Sequence, residues 1–312
     1  MRAIRILALL SLAAACTGSG TAGVQTPESR VVTPRVLGIR ADPPDVYPGN
    51  ETALTAQVGD FLSDTVGYSY VWIFCDPVGA SSSACISEQA QTNIANLLSG
   101  TVSGIHIVVQ ERDETFNAQA TYLAPSIALD GLALGSPARL QGVEAIVLIV
   151  LYQGYYTQGE FDRSSVLDVA LKRVRIIDPS MKPNQNPSID RVMSDAGAVE
   201  LINSSIMLGD AGPVTTALLP NDILVGNATR GSAETYIDIA DDGTRTTHTE
   251  TLVFSWYITS AGEFPTVPSW LPARTYDGIP LDVTATGPLT LYVLLRDNRG
   301  GIDFTSYSLT EQ

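Results

Sequence analysis

The sequence predicts an all-β protein: two tandem immunoglobulin-like β-sandwiches behind an N-terminal export signal and a flexible tether. Three observations predict it. Apolar residues alternate with polar ones in short runs set apart by Gly, Pro, Asn and Asp, which is the pattern of half-buried strands. Two of those runs, Tyr68–Cys75 (YSYVWIFC) and Glu250–Ile258 (ETLVFSWYI), each carry one Trp on their apolar face. Each is followed by a run apolar on both faces, VEAIVLIVLY or LTLYVLL, and then by a turn and a last strand. A Trp packed in the core from the third strand is a feature of immunoglobulin-like sandwiches, and its recurrence marks a tandem.

The chain begins with an export signal. In Met1–Cys16, MRAIRILALLSLAAAC, Arg2 and Arg5 precede a short apolar run and small residues lead into Cys16. The run is too short to span a bilayer and fits a secretory signal. Ala13-Ala14-Ala15-Cys16 is similar to a lipobox, although Ala13 stands where Leu is commoner. Cys16 is therefore the expected lipidation site and residues 1–15 the signal peptide. An ordinary signal cut after an A-x-A site, releasing a soluble periplasmic or secreted protein, is the other reading. Residues 16–34, rich in Gly, Ser and Thr, read as a flexible tether. Thr17, where the sorting rule for lipoproteins would place Asp for inner-membrane retention, points to the outer membrane.

Composition narrows the partners. Of 312 residues, 33 are Asp or Glu and 18 are Lys or Arg, a formal net charge of -15. Loss of Arg2 and Arg5 makes it more negative still, so phosphate backbones are repelled and no nucleic acid is expected. The expected contacts are the membrane, through the lipid, and a protein or glycan of the envelope.

The first sandwich is placed at 35–178. Its early strands carry Val36, Leu37 and Ile39, then Leu54, Ala56 and Val58. Tyr68, Tyr70, Trp72 and Phe74 share one face of the next strand. Cys75 and Cys85 are expected to form a disulfide closing a short loop, worth roughly 3 kcal/mol on the loop-entropy model. Two free thiols or a metal pair are the other readings, and no C-x-x-C or nearby His supports a metal. Ser87–Leu98 has an N-cap and a Gly stop and reads as a helix. Residues 179–187, within DPSMKPNQNP, hold prolines and asparagines with no apolar pattern and read as a linker. The second sandwich is placed at 188–312, with Trp256 in the part of Trp72.

Several pieces together, RVLGIRADPPDVYPG, YSYVWIFCDP, ALKRVRIIDPSMKPNQNP, ETLVFSWYITSAGEF and LYVLLRDNRGGIDF, resemble predicted lipoproteins of myxobacteria and related bacteria. The resemblance implies a lipidated N-terminus followed by immunoglobulin-like domains. It assigns no activity and carries over no catalytic residue.

Little in the chain points to chemistry. His106 lies in an alternating strand and His248 in a Thr-rich segment, and no H-E-x-x-H, G-x-S-x-G or phosphate loop occurs. No catalytic residue, cofactor or metal ligand is assigned. Asp238, Asp241 and Asp242 depart from calcium-loop spacing and read as a turn. The loop YQGYYTQGEFDR is the expected contact surface, through Tyr152, Tyr155, Tyr156 and Phe161, because Tyr and Gly make adaptable surfaces of low entropy cost. Phe264–Trp270 is a lesser candidate of the same kind. The expected function is thus a non-catalytic binding, adhesion or scaffold module using sandwich-end loops. A hydrolase or carbohydrate-active protein without recognisable motifs, and a structural subunit of an envelope complex, are the alternatives.

Overall fold

The computed structural model describes residues 30–59, 68–78, 82–83, 105–111, 118–154, 163–194, 199–200, 215–218, 223–259, 262–263, 270–272, 279–280, 282–283 and 289–311. Strands β1 (Arg30–Val31) and β2 (Arg35–Asp42) open the described chain. They are followed by β3 (Asp45–Val46), β4 (Glu51–Gly59) and β5 (Tyr68–Cys75). Two short strands, β6 (Pro77–Val78) and β7 (Ser82–Ser83), pair with each other. Next come β8 (Ile105–Glu111), β9 (Ala118–Leu123), β10 (Val143–Gln153) and β11 (Val166–Ile176).

Eight of these strands form two sheets, ordered β3-β11-β10-β5-β8 and β2-β4-β9. The packing follows from the alternation. Tyr70, Trp72 and Phe74 of β5 and Val147, Ile149 and Leu151 of β10 meet Ile39, Leu54, Ala56 and Tyr122 of the opposite sheet in one core. Trp72 is fully buried at its centre. Two sheets closing one core, with Trp on the third long strand, make this the expected immunoglobulin-like sandwich.

The second sandwich repeats the plan. It contains β12 (Ile189–Ser194), β13 (Val199–Glu200), β14 (Thr215–Leu218), β15 (Ile223–Ala228), β16 (Thr235–Ile239), β17 (Arg245–Thr249) and β18 (Val253–Thr259). After them come β19 (Gly262–Glu263), β20 (Trp270–Pro272), β21 (Ile279–Pro280), β22 (Asp282–Val283), β23 (Leu289–Arg296) and β24 (Ile302–Glu311). One sheet runs β13-β12-β15-β21 and the other joins β18, β23, β24 and β14. Phe254, Trp256, Leu291, Val293 and Leu295 fill the core against Val192 and Leu224. The correspondence reaches the edges: β3 lies parallel on β11, and β14 lies parallel on β24. Hairpin β16–β17 belongs to neither sandwich sheet and pairs only within itself among the described residues.

Three features depart from the simple picture. Arg30 and Val31, within the expected tether, form a parallel pair with Ile258 and Thr259 on the edge of β18. Val31 is fully buried there with Leu37, Tyr292, Leu294 and Ile302. The N-terminal segment thus joins the second sandwich before the chain enters the first. The one described α-helix, α1 (Pro137–Gln141), is absent from the sequence expectations, although its signals are local. Ser136 caps it by accepting from the Arg139 amide, Pro137 starts it, and Gly142 ends it at φ 83°. The expected helix at Ser87–Leu98 lies outside the described residues.

The third departure is the junction. Asn184 and Pro187, in the expected linker, are buried. The segment is legible only as a non-periodic stretch because polar bonds rather than apolar burial order it. Tyr47 donates its hydroxyl to the Met181 carbonyl at 3.1 Å, and Asn186 Nδ2 donates to the Ala41 carbonyl at 2.7 Å. On its other side, the Ile302 amide donates to Asn186 Oδ1 at 3.0 Å. At the start of the segment, the hydroxyl and amide of Ser180 and the Arg139 side chain hold the Asp178 carboxyl below the usual carboxylate range.

Candidate functional site

The turn between β23 and β24, Asp297-Asn298-Arg299-Gly300-Gly301, reads in sequence as a simple chain reversal. It also supplies the centre of the junction. Asp297 Oδ1 accepts from the Arg299 and Gly301 amides, each at 2.7 Å, so the carboxylate fixes the turn. A Cβ on Gly301 would collide with Asp297 Oδ2 and lie 3.0 Å from the Gln185 carbonyl oxygen and Pro187 Cδ. Glycine is required there by close approach of the linker.

That turn aims Arg299 into the gap between the sandwiches, where its side chain is 10% exposed. Its guanidinium donates to Asn184 Oδ1 and to Glu250 Oε1, both at 3.0 Å. It lies 3.8 Å from Asp45 and 3.9 Å from Glu234, and 4.5 Å from the centroid of the Tyr236 ring. Arg suits this position because its planar fork serves several acceptors at once while its face stacks on an aromatic ring.

The acceptors come from both domains. Asp45, at the start of β3, also takes Arg175 (2.5 Å) and the Asn184 amide (2.9 Å). Glu234, just before β16, takes Lys182 at 2.6 Å and the Gln185 amide at 3.2 Å. Glu250 has a wholly buried side chain. Burial pushes its carboxyl above the ordinary value, while the Glu234 amide and Arg299 pull it back. Lys172, on β11, donates to the Gly300 carbonyl. Burial brings its ammonium down to about 8, against the opposing pull of Asp297 and Asp45. Further along, Arg40 meets Asp303 at 2.9 Å, and Arg296 reaches the Leu37 carbonyl at 2.9 Å.

Beside this junction opens a cleft of about 920 Å³, within the range of ligand-sized cavities. The first sandwich contributes Gln141, Glu144, Arg173 and Arg175, and the linker Met181 and Lys182. The second contributes all five residues of β16 and Arg245 of β17. Hairpin β16–β17 forms this wall because it leans on α1: Gln141 Nε2 donates to the Ile239 carbonyl at 2.8 Å and to Asp241 Oδ1 at 3.1 Å.

The sequence-predicted residues fall elsewhere. Tyr152 is not a loop residue: it pairs with Ser69 and Val166 in β10 and is 5% exposed, so its ring is closed to an external partner. Tyr155, Tyr156 and Phe161 lie outside the described residues, as do Cys16 and Cys85. Cys75 is fully buried at the end of β5. Asp242 accepts from the Thr244 amide at 2.8 Å, and the Thr244 contacts lower its carboxyl, which is the work of a turn residue. His248 stands exposed with its ring 5.6 Å from Tyr236. Among the described residues, no three His, Cys, Asp or Glu side chains are grouped to hold a metal ion. Sequence reasoning missed Arg299, Asn184, Asp45 and Glu250. Their signal was faint: a charged residue inside a Gly-rich turn, and amide side chains between prolines.

No protein-family pattern and no curated protein matches the chain. Among solved structures it is similar to dimeric latent PorU from Porphyromonas gingivalis, with 10% identity and a TM-score of 0.24. That alignment covers 90% of this chain and 24% of PorU, so the chain spans about a quarter of its length. It is also similar to the fibronectin(III)-like modules of Clostridium thermocellum CbhA, with 12% identity and a TM-score of 0.22, over 88% of this chain and 94% of that one. The fold assignment rests on the strand order and cores described above.

Proposed function

We propose that the chain is a lipid-anchored outer-membrane protein acting as a non-catalytic binding or scaffold module. Cys16 carries the lipid, and Cys75 pairs with Cys85 to staple the segment after β5. The observation that carries the reading is the junction. Asp45, Asn184, Glu234, Glu250 and Arg299 tie the two sandwiches into one relative orientation. A fixed orientation gives a partner a shaped surface, the cleft between the sandwiches. Domains joined for reach alone need no such network, since the default between domains is relative motion.

The test is palmitate labelling and membrane fractionation of the wild type beside Cys16→Ser in a bacterial host. Label and outer-membrane sedimentation in the wild type, both lost in the variant, are expected. Soluble, unlabelled wild type overturns the anchor.

A further inference from the structure

We propose that the cleft binds an extended, carboxylate-bearing peptide segment of another protein, added as a strand along the outer edge of β16. The inference deepens the binding-module reading above and rests on it.

The hydrogen-bond phase of the hairpin identifies the edge. The Glu250 amide donates to the Glu234 carbonyl and the Ala240 amide to the Thr244 carbonyl. Antiparallel pairing alternates, so residues 236 and 238 also turn their backbone groups to β17. Thr235, Ile237 and Ile239 therefore turn theirs the other way. The Ile239 carbonyl is taken by Gln141, which closes that end. Thr235 and Ile237 present N–H and C=O groups that meet no backbone partner among the described residues. An edge of this kind is a template for another strand, and main-chain bonds supply affinity in such additions.

The surroundings select the occupant. All of β16 lines the cleft, whereas β17 contributes Arg245 alone. At ~3.4 Å per residue, the open stretch from Thr235 to Ile237 offers an edge of roughly 10 Å, room for a short strand. Ile237 is 49% exposed there, an apolar side chain available to a ligand. In a chain of net charge -15, three cations face this space with their heads in solvent: Arg173, Lys182 and Arg245. Two exposed anions, Glu144 and Asp238, accompany them. The lining as a whole carries five cations, Arg173, Arg175, Lys182, Arg245 and Arg299, against four anions, Asp45, Glu144, Glu234 and Asp238, a net positive charge on an acidic molecule. Acidic side chains on the incoming strand meet Arg245 together with Arg173 and Lys182, whose ion pairs with Glu144 and Glu234 leave their side chains exposed. Such rim charges act mainly on encounter and specificity.

A displayed library of random nonapeptides panned on the full-length chain, purified in detergent, tests the proposal. The expected result is an enriched pool biased to Asp and Glu. Capture of that pool should fall at least tenfold on Ile237→Pro, which deletes the outward N–H while leaving the bonds to β17 in place. Thr247→Pro, the matching change on the outer edge of β17, should leave capture unchanged. Should Ile237→Pro fail to match the wild-type circular dichroism, the exposed double variant Arg173→Glu/Lys182→Glu replaces it, with the same expected loss. No enrichment, a pool without acidic bias, or capture indifferent to these changes overturns the proposal. Loss of Cys16 labelling with capture intact would instead refute the anchor and leave the cleft site standing.

Discussion

Replacing Arg299 by Met should destabilise the chain by about 3–5 kcal/mol at pH 7, the usual cost of stranding a buried charge. The partners set that magnitude. Glu250 has a wholly buried side chain, 3.0 Å from the guanidinium. At an effective dielectric of 20, that single pair is worth about 5 kcal/mol before desolvation is subtracted. Asp45 would keep Arg175, and Glu234 would keep Lys182, so most of the deficit falls on Glu250. The second change in the cycle is therefore Glu250→Gln. Combined with Arg299→Met, it should recover at least half of the loss, because a neutral amide needs no counter-charge. Acid should help the single variant too. A carboxyl whose folded-state value lies above its unfolded value binds its proton more readily when folded, so its contribution improves as pH falls through that folded value. Burial already raises Glu250, and loss of Arg299 raises it further, so the deficit of Arg299→Met should shrink from pH 7 towards pH 5. Urea unfolding of the four proteins at both pH values measures all of this. A loss below about 1 kcal/mol at pH 7, or one that Glu250→Gln does not reduce, would refute the account of Arg299 as the charge that holds the junction.

Two further outcomes follow from the same region. Gly301→Ala should cost about 1–3 kcal/mol through overpacking, because the new Cβ meets the Asp297 carboxylate, the Gln185 carbonyl and Pro187; differential scanning calorimetry should show a clear fall in Tm. Lys172, lowered to about 8, stays charged in the unfolded chain up to its ordinary value near 10.5, so wild-type stability should rise between those pH values by up to about 3 kcal/mol relative to Lys172→Met; parallel urea titrations at pH 7.5 and 10 would show the gap change, and an unchanged gap would count against it.

The two sandwiches are legible because burial in a sheet writes itself into sequence with period two. YSYVWIFC and ETLVFSWYI place Trp72 and Trp256 where the cores are. The junction is not legible, because polar order leaves no period. Asn184 and Asn186 look like loop residues until their amides are seen reaching the Asp297 carboxylate on one side and the Ala41 carbonyl on the other. The acidic and Gly content of DIADDG and DNRGG marks the turns, but not that one leans on α1 and the other carries Arg299 into the gap. Tyr152 shows the opposite failure. Its neighbours Gly154 and Tyr155 give it the look of a loop residue, whereas β10 runs on to Gln153 and takes the ring inside.

Strand β1 bears on the order in which the molecule can be completed. Arg30 and Val31 pair with residues about 230 positions later, in β18. Loop closure over that span is slow compared with local pairing. The first sandwich can assemble as soon as β11 has been made, but its leading segment must wait for most of the second. A chain shortened after the linker would leave Val31 and Leu37 without Tyr292, Leu294 and Ile302, the apolar side chains that cover them. Docking of β1 therefore waits until β18, β23 and β24 have been made, long after the strands of the first sandwich.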